Sequence, residues 1–181
     1  SHQRINPKVF IVSGILLMAL SFYMNYYLSF LTEKWYIMLS LYLRGLGMGL
    51  LFTPLLTLSL VNIRNSDMAQ ASSITNIVRQ MGGSFGVAIF SHLLTQRTAF
   101  HTQRYGEALN YTGDVYRQTL HSLSRFIEHT GGRTPDTAKE VAEMLILKRI
   151  DLEGYISAIN DDFFIAFIVT LLCVVPVLFL R

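Results

Sequence analysis

Four long stretches of the chain are almost free of charged residues. Two of them carry no charge, and each of the other two carries a single arginine. A helix needs roughly 20 mainly apolar residues to cross the hydrocarbon core of a bilayer, and all four stretches approach or exceed that length. The pattern predicts an all-α membrane protein with four transmembrane helices, over about 9-31, 35-61, 67-96 and 162-181.

Charged residues are concentrated between the third and fourth stretches, because the segment from Arg97 to Asp162 holds 18 of the 27 charges. Its apolar residues recur at helical spacing. Thr134, Pro135 and Asp136 form a helix start, with Thr as N-cap and Pro at the first helical position. We expect transmembrane helices one to three within 1-96, a helical insert over 97-161 that turns near Gly131 and Gly132, and helix four within 162-181.

The basic residues of the short connections predict the orientation of the helices, since Lys and Arg accumulate in short cytoplasmic loops. Arg4, Arg64 and Arg181 share one side of the membrane, whereas Lys34 on the opposite side is offset by Glu33. We therefore expect a multi-pass protein with both ends of the chain in the cytoplasm. The insert is then extracytoplasmic.

Composition excludes several classes of protein. Hydrophobic residues make up 51% of the 181 residues, and the net charge is +3. The basic excess belongs to the apolar part of the chain, because the 97-162 segment has 8 basic against 10 acidic residues. No basic patch is left for a nucleic acid. Cys173, the single cysteine, excludes an internal disulfide, and we expect it to be a small apolar filler.

Enzymatic chemistry has no recognisable motif in the sequence. The five histidines lack the spacing of a metal site, and there is no glycine-rich phosphate loop and no serine-centred elbow. We expect no enzyme activity, no metal and no cofactor. The acids that a proton-driven carrier needs are also missing from the helix interiors, because Asp67, Asp161 and Asp162 are placed at helix ends.

Arg44 and Arg79 are the candidate functional residues, since an arginine at the centre of a membrane helix costs at least about 2.5 to 3.5 kcal/mol. Each should face protein or water and pair with an oxygen acceptor. Asn76 and Gln80 could complete a local network around Arg79. Two roles stay open for both arginines, namely contact with a transported substrate and the joining of two helices.

Small residues and one proline point to helix packing and bending. Glycines four residues apart on one helix face let another backbone approach closely. A proline inside a helix removes one backbone hydrogen bond, so it favours a bend. The packing or hinge candidates are Gly45, Gly49, Pro54, Gly82, Gly83 and Gly86.

Two runs carry a family resemblance. The run from Arg44 to Gly49 (RGLGMG), followed by Thr53-Pro54-Leu55, and the run from Ala71 to Ile89 (ASSITNIVRQMGGSFGVAI) resemble the last part of the EmrB/QacA branch of the major facilitator superfamily. Members are fourteen-helix drug:proton antiporters. The resemblance covers roughly residues 1 to 100, and helix four resembles the family only in its apolar character.

The resemblance implies the C-terminal portion of a proton-coupled multidrug efflux transporter in the bacterial inner membrane. Its substrates would be amphipathic small molecules, often cationic. Its partners would be membrane lipid and the remaining N-terminal helices of the same transporter, which hold the proton-linked acids. The insert would dock a periplasmic adaptor protein or simply cap the transport cavity.

Two alternatives stay open. A small four-helix membrane protein could serve as an assembly or interaction subunit, although a chain that starts Ser-His-Gln without a methionine favours a piece of a larger protein. An exporter of a lipid or another metabolite would have the same helix pattern.

The predicted orientation can be tested by cysteine labelling. With Cys173→Ala as background, a cysteine introduced at Thr112 should react with a membrane-impermeant maleimide in intact cells, because the insert is predicted to lie outside the cytoplasm. Labelling that requires cell lysis would contradict this orientation.

Overall fold

The computed structural model describes residues 7–61, 63–108, 113–132 and 134–179, and every regular element in these ranges is a helix. A short 3-10 turn, Asn65–Asp67, precedes α3. The described part of the chain is thus all-α. The α-helices are α1 (Pro7–Asn25), α2 (Lys34–Leu60), α3 (Met68–Ala108), α4 (Asp114–Gly131), α5 (Pro135–Leu172) and α6 (Val174–Phe179).

Three parts of the described chain are long and apolar enough to cross a membrane by length and composition: Lys8–Asn25, Lys34–Leu60 and the stretch Pro135–Phe179. Helix α3 is not among them, because its arginine, amide and glycine residues dilute its apolar ones. A membrane span within α3 stays a prediction.

The chain forms two compact units. The first comprises the residues up to Leu93 together with those from Ile159 onward, and the second is Leu94–Ala158. The second unit resembles in extent the insert predicted over 97-161. Its position outside the membrane stays a prediction.

In the first unit, α1 packs along α2 and also touches α6. The core of this packing consists of Ile11, Ile15 and Val177, which are at most 7% exposed. The two helices approach closely at two glycines. A Cβ added to Gly14 would lie 2.8 Å from the carbonyl oxygen of Gly47, and a Cβ added to Gly47 would lie 2.8 Å from the carbonyl oxygen of Gly14. The α1–α2 contact therefore depends on two residues without side chains.

Helix α1 is shorter than the predicted span of 9-31, because it ends at Asn25. The connection that follows has its own hydrogen bonds: the Thr32 hydroxyl accepts the Ser29 amide at 2.7 Å, and the Thr32 amide donates to the Ser29 carbonyl at 3.0 Å. Such side-chain bonds compete with helix continuation. Helix α2, in contrast, has nearly the predicted bounds of 35-61.

Helix α5 runs without interruption through the boundary predicted between the insert and helix four. Asp161 and Asp162 are half-buried inside this helix, so the prediction that they lie at helix ends is wrong. The helix breaks only at Cys173, three residues before Pro176. A proline ring clashes with the carbonyl four residues earlier, here that of Leu172, and this explains the break.

The helix start at Thr134-Pro135 and the turn at Gly132 are confirmed. Helix α5 begins at Pro135, and the Ala138 amide donates to the Thr134 carbonyl at 2.9 Å. Gly132 has a φ of 57°, and its amide donates to the carbonyl of Glu128. Glycine adopts this left-handed conformation without the strain that a Cβ brings, which explains the helix end at Gly132.

In the second unit, the end of α3 and the middle of α5 approach each other closely. A Cβ on Gly154 would lie 3.0 Å from the backbone nitrogen of Thr102, and the hydroxyls of Tyr105 and Ser157 are 2.9 Å apart. Four of the five buried residues of α5 in this unit are small, and the five are Ala138, Ala142, Ile150, Gly154 and Ala158.

The glycine contact between α1 and α2 can be tested with a matched pair of variants. Gly45→Ala should keep or raise stability, since its Cβ meets nothing within 4 Å and alanine favours a helix by about 0.5–1 kcal/mol. Gly47→Ala should lower stability, by about 1–3 kcal/mol, because the Gly14 carbonyl must move. The measurement is the thermal midpoint in detergent. Equal midpoints for the two variants would contradict the observed helix contact.

Candidate functional site

The guanidinium of Arg44 lies where α1, α2 and the last part of α5 meet. Arg44 stands ten residues after the start of α2 at Lys34. Its Nε donates a long hydrogen bond of 3.4 Å to the Ser21 hydroxyl on α1. Its central carbon is 4.9 Å from the ring centre of Phe22 and 5.4 Å from that of Phe163. One charged group thus contacts three helices.

Three buried polar residues link α1 to α2 beside this arginine. The Ser21 hydroxyl donates to the Ser40 carbonyl at 2.8 Å, and the Ser40 hydroxyl donates to Oδ1 of Asn25 at 2.8 Å. Ser21 and Ser40 are fully buried, and Asn25 is 4% exposed. Each bond joins α1 to α2, so the chain of polar groups from Asn25 to Arg44 fixes the register of the two helices. We call it the α1–α2 polar chain.

Arg44 is incompletely paired. Its Nη2 is buried, and no hydrogen-bond acceptor contacts it in the part of the chain that the structure describes. The two phenyl rings attract the positive charge through their faces, but they accept no hydrogen bonds in the guanidinium plane. A buried N–H without an acceptor costs about 1–3 kcal/mol, so an oxygen acceptor is needed here.

Aromatic contacts hold α5 against α1. The Phe22 and Phe163 ring centres are 6.3 Å apart, and those of Tyr26 and Phe164 are 5.0 Å apart. Next to these rings, the Asn160 side-chain amide donates to the Leu28 carbonyl at 2.8 Å. These contacts place Phe163 where it can cover the guanidinium of Arg44.

Arg79 has a different environment. It is exposed, its Nη2 donates to the Asn76 side chain at 2.7 Å, and its central carbon is 5.7 Å from the Phe52 ring centre. The predicted pairing of Arg79 with Asn76 is therefore present. The backbone carbonyl of Gln80 accepts a hydrogen bond from the Ser84 hydroxyl one turn further along α3. Whether these residues contact a substrate or hold helices together stays a prediction.

The glycine candidates have no packing partner within the described residues. A Cβ on Gly45, Gly49, Gly82, Gly83 or Gly86 would meet nothing within 4 Å there. Their role in packing against further helices stays a prediction, and so does a bend at Pro54, which lies half-buried inside α2.

The predictions from the sequence do not include several residues of the site, namely Ser21, Asn25, Ser40 and Gly14. Ser21 and Asn25 are four apart on α1, as are Ser40 and Arg44 on α2, so each pair lies on one helix face. This repeated spacing of polar residues in two apolar helices was the available signal. Gly14 was also identifiable, because it is the only glycine in the first uncharged stretch.

Metal binding finds no support in the described residues, where no group of three or more His, Cys, Asp or Glu side chains could hold an ion.

Comparison with known proteins gives distant relatives. No family profile and no solved structure matches the chain significantly. An uncharacterized MFS-type transporter, YhcA of Bacillus subtilis, is 27% identical over 175 residues, which are 95% of this chain and 32% of YhcA. The fatty acid resistance protein FarB of Neisseria gonorrhoeae is 27% identical over 76% of this chain and 25% of FarB. The multidrug export protein EmrB of Haemophilus influenzae is 26% identical over 68% of this chain and 22% of EmrB.

The chain spans between about a fifth and a third of the length of these curated relatives. Transporters are not enzymes, so the relatives agree with the prediction that the chain has no enzyme activity. Together with the all-helical fold, the matches show that the chain is similar to a segment of EmrB-type and other MFS-type transporters.

Proposed function

We propose that this chain is the C-terminal portion of a proton-coupled efflux transporter that exports amphipathic compounds through the bacterial inner membrane. Relatives named as multidrug export proteins support transport. The resemblance of the Arg44–Gly49 and Ala71–Ile89 runs to the EmrB/QacA branch supports the position within the transporter. The remaining N-terminal helices would complete the bundle, which explains why so many apolar side chains of α3 are exposed here.

The observation that carries a transport role is the unpaired Nη2 of Arg44. A charge within a potential membrane helix is retained only when something compensates its cost. Ser21, Phe22 and Phe163 compensate part of it, and the missing acceptor must come from outside the described chain. We place Arg44 at the edge of the transport path, where the acceptor is the substrate or a further helix.

Proton coupling is the second part of the proposal. Carboxylates inside a membrane bundle serve as proton carriers. We expect the main ones in the N-terminal helices, as the family resemblance implies. Asp161 and Asp162 join the candidates, because they are half-buried within α5 rather than at its end.

The second unit, Leu94–Ala158, would lie outside the cytoplasm, with both ends of the chain on the cytoplasmic side. Its exposed apolar residues include Phe126, Met144 and Leu147. Apolar residues of this size on a surface are compatible with docking of a periplasmic adaptor protein.

Export of a fatty acid or a similar lipid is the second candidate. It is favoured by the similarity to FarB, which is named for fatty acid resistance. The interpretation as a small four-helix assembly subunit has less support, since the relatives are all several times longer than the segment they share with this chain.

The role of Arg44 can be tested in the complete transporter by measuring efflux of a fluorescent amphipathic dye. Arg44→Ala should reduce efflux per molecule at least tenfold while the protein still accumulates in the membrane, because the substrate loses a charged contact. Arg44→Lys should keep part of the efflux if charge alone is needed. It should lose efflux like Arg44→Ala if a planar contact with two hydrogen bonds is needed. Arg117→Ala on the exposed surface of α4 is the control and should leave efflux unchanged.

A loss of folded protein in Arg44→Ala, with unchanged efflux per molecule, would show that Arg44 only joins helices. Equal efflux and equal abundance would contradict both roles.

A further inference from the structure

The hydrogen-bonding capacity of Arg44 is largely unused. A guanidinium carries five N–H donors in one plane. Among the described residues, Ser21 provides the one side-chain oxygen that accepts from it, at a long 3.4 Å. The buried Nη2 has no acceptor in the same part of the chain. The group that completes this site must therefore bring oxygen atoms into the guanidinium plane.

The surroundings of Arg44 indicate the chemistry of that group. A carboxylate has two oxygens at the spacing of two guanidinium N–H groups, and such paired bonds are among the strongest in proteins. The walls beside the guanidinium are the apolar rings of Phe22 and Phe163. A strongly hydrated inorganic anion would lose its water against these rings, whereas an organic acid with an apolar body would pack on them.

The depth of Arg44 distinguishes between two sources of such an oxygen. Ten residues separate it from the start of α2, which corresponds to about 15 Å along the helix, or half of a hydrocarbon core of about 30 Å. A lipid headgroup at the membrane surface does not reach that depth. A transported compound that passes through the bundle does.

We infer that Arg44 anchors the carboxylate of an amphipathic organic acid, with the apolar body of that acid against Phe22 and Phe163. The inference rests on the proposed transport function and specifies one substrate class for this site. Nη2 is covered in this structure. The acid therefore binds in a state of the transporter in which the groups that cover Nη2 have moved aside.

Ser21 is the positioning residue of this site. Its hydroxyl donates to the Ser40 carbonyl at 2.8 Å, which leaves its lone pairs directed to the Nε of Arg44. Since Ser21 is fully buried, its hydroxyl has no water to replace either bond. Ser21 thereby holds the Nε edge of the guanidinium, so that a ligand would bind through the Nη groups once Nη2 is uncovered.

The test measures binding of two matched probes to the complete transporter in nanodiscs. The probes are 11-(dansylamino)undecanoic acid and its carboxamide, which differ only in the charged group. The wild type should bind the acid about 10- to 100-fold more tightly, as expected for a charged hydrogen-bond pair. Arg44→Gln should abolish this preference, because the acid loses its charged partner.

Ser21→Ala should reduce the preference for the acid by about threefold to tenfold without changing carboxamide binding, and Ser21→Thr, which keeps the hydroxyl, should restore it. If Ser21 only supported the fold, Ser21→Ala would weaken the binding of both probes equally. That result would contradict its positioning role. Ser59→Ala, which removes an exposed hydroxyl bonded within α2, is the control and should behave as wild type.

Equal affinity of the wild type for both probes would overturn the inference, and so would a preference for the acid that survives in Arg44→Gln. Acid binding that appears only in Asp162→Asn would also overturn it, because Asp162 would then be the acceptor for Arg44. If Arg44→Gln does not fold, the wild-type preference and the two Ser21 variants decide. Export of a neutral dye without acid preference would refute this site alone, whereas a transporter that exports no amphipathic compound would refute the proposed function.

Discussion

The contact of Arg44 with three helices is the constraint on which the architecture of the first unit depends. A charge in an apolar helix has to be compensated, and the compensation comes from Ser21 and Phe22 on α1 and Phe163 on α5. These residues can surround Arg44 only if α1 lies directly along α2 and the last part of α5 contacts α1 beside Arg44. Gly14 and Gly47 permit the first condition, and the ring contacts of Phe163 and Phe164 provide the second.

The α1–α2 polar chain gives the packing of α1 on α2 a single register. Apolar surfaces alone allow two membrane helices to slide or rotate against each other, because lipid is as apolar as the helix faces. A shift of one residue would separate Ser21 from the Ser40 carbonyl and Ser40 from Asn25, and would leave buried polar groups without partners. The same bonds that fix the helix register therefore also fix the direction of Arg44. Structure and proposed function depend on one set of contacts.

The sequence predicted the features that local signals determine. The bounds of α2, the helix start at Pro135 and the turn at Gly132 all follow from residues within one or two turns. The end of α1 at Asn25 differs from the predicted bound at residue 31. The continuity of α5 differs from the prediction because composition changes near Asp162 although no residue there interrupts a helix.

The site was predicted only in part for a related reason. Arg44 was identifiable because an isolated charge in an apolar stretch is conspicuous. Its partners lie about 20 residues away in α1 and more than 100 residues away in α5, and periodicity does not pair helices with each other. The contact of Gly14 with Gly47, rather than with Gly45 or Gly49, likewise depends on the rotation of α1, which the polar chain determines.

The most direct measurement is a structure of the complete transporter, without added substrate, at a resolution that shows side chains. We expect the Arg44 guanidinium to lie between Phe22 and Phe163, bonded to Ser21, with no oxygen of residues 7–61, 63–108, 113–132 or 134–179 within hydrogen-bond distance of Nη2. An Arg44 that faces lipid, or an Nη2 bonded to an acid of these residues such as Asp162, would contradict this arrangement.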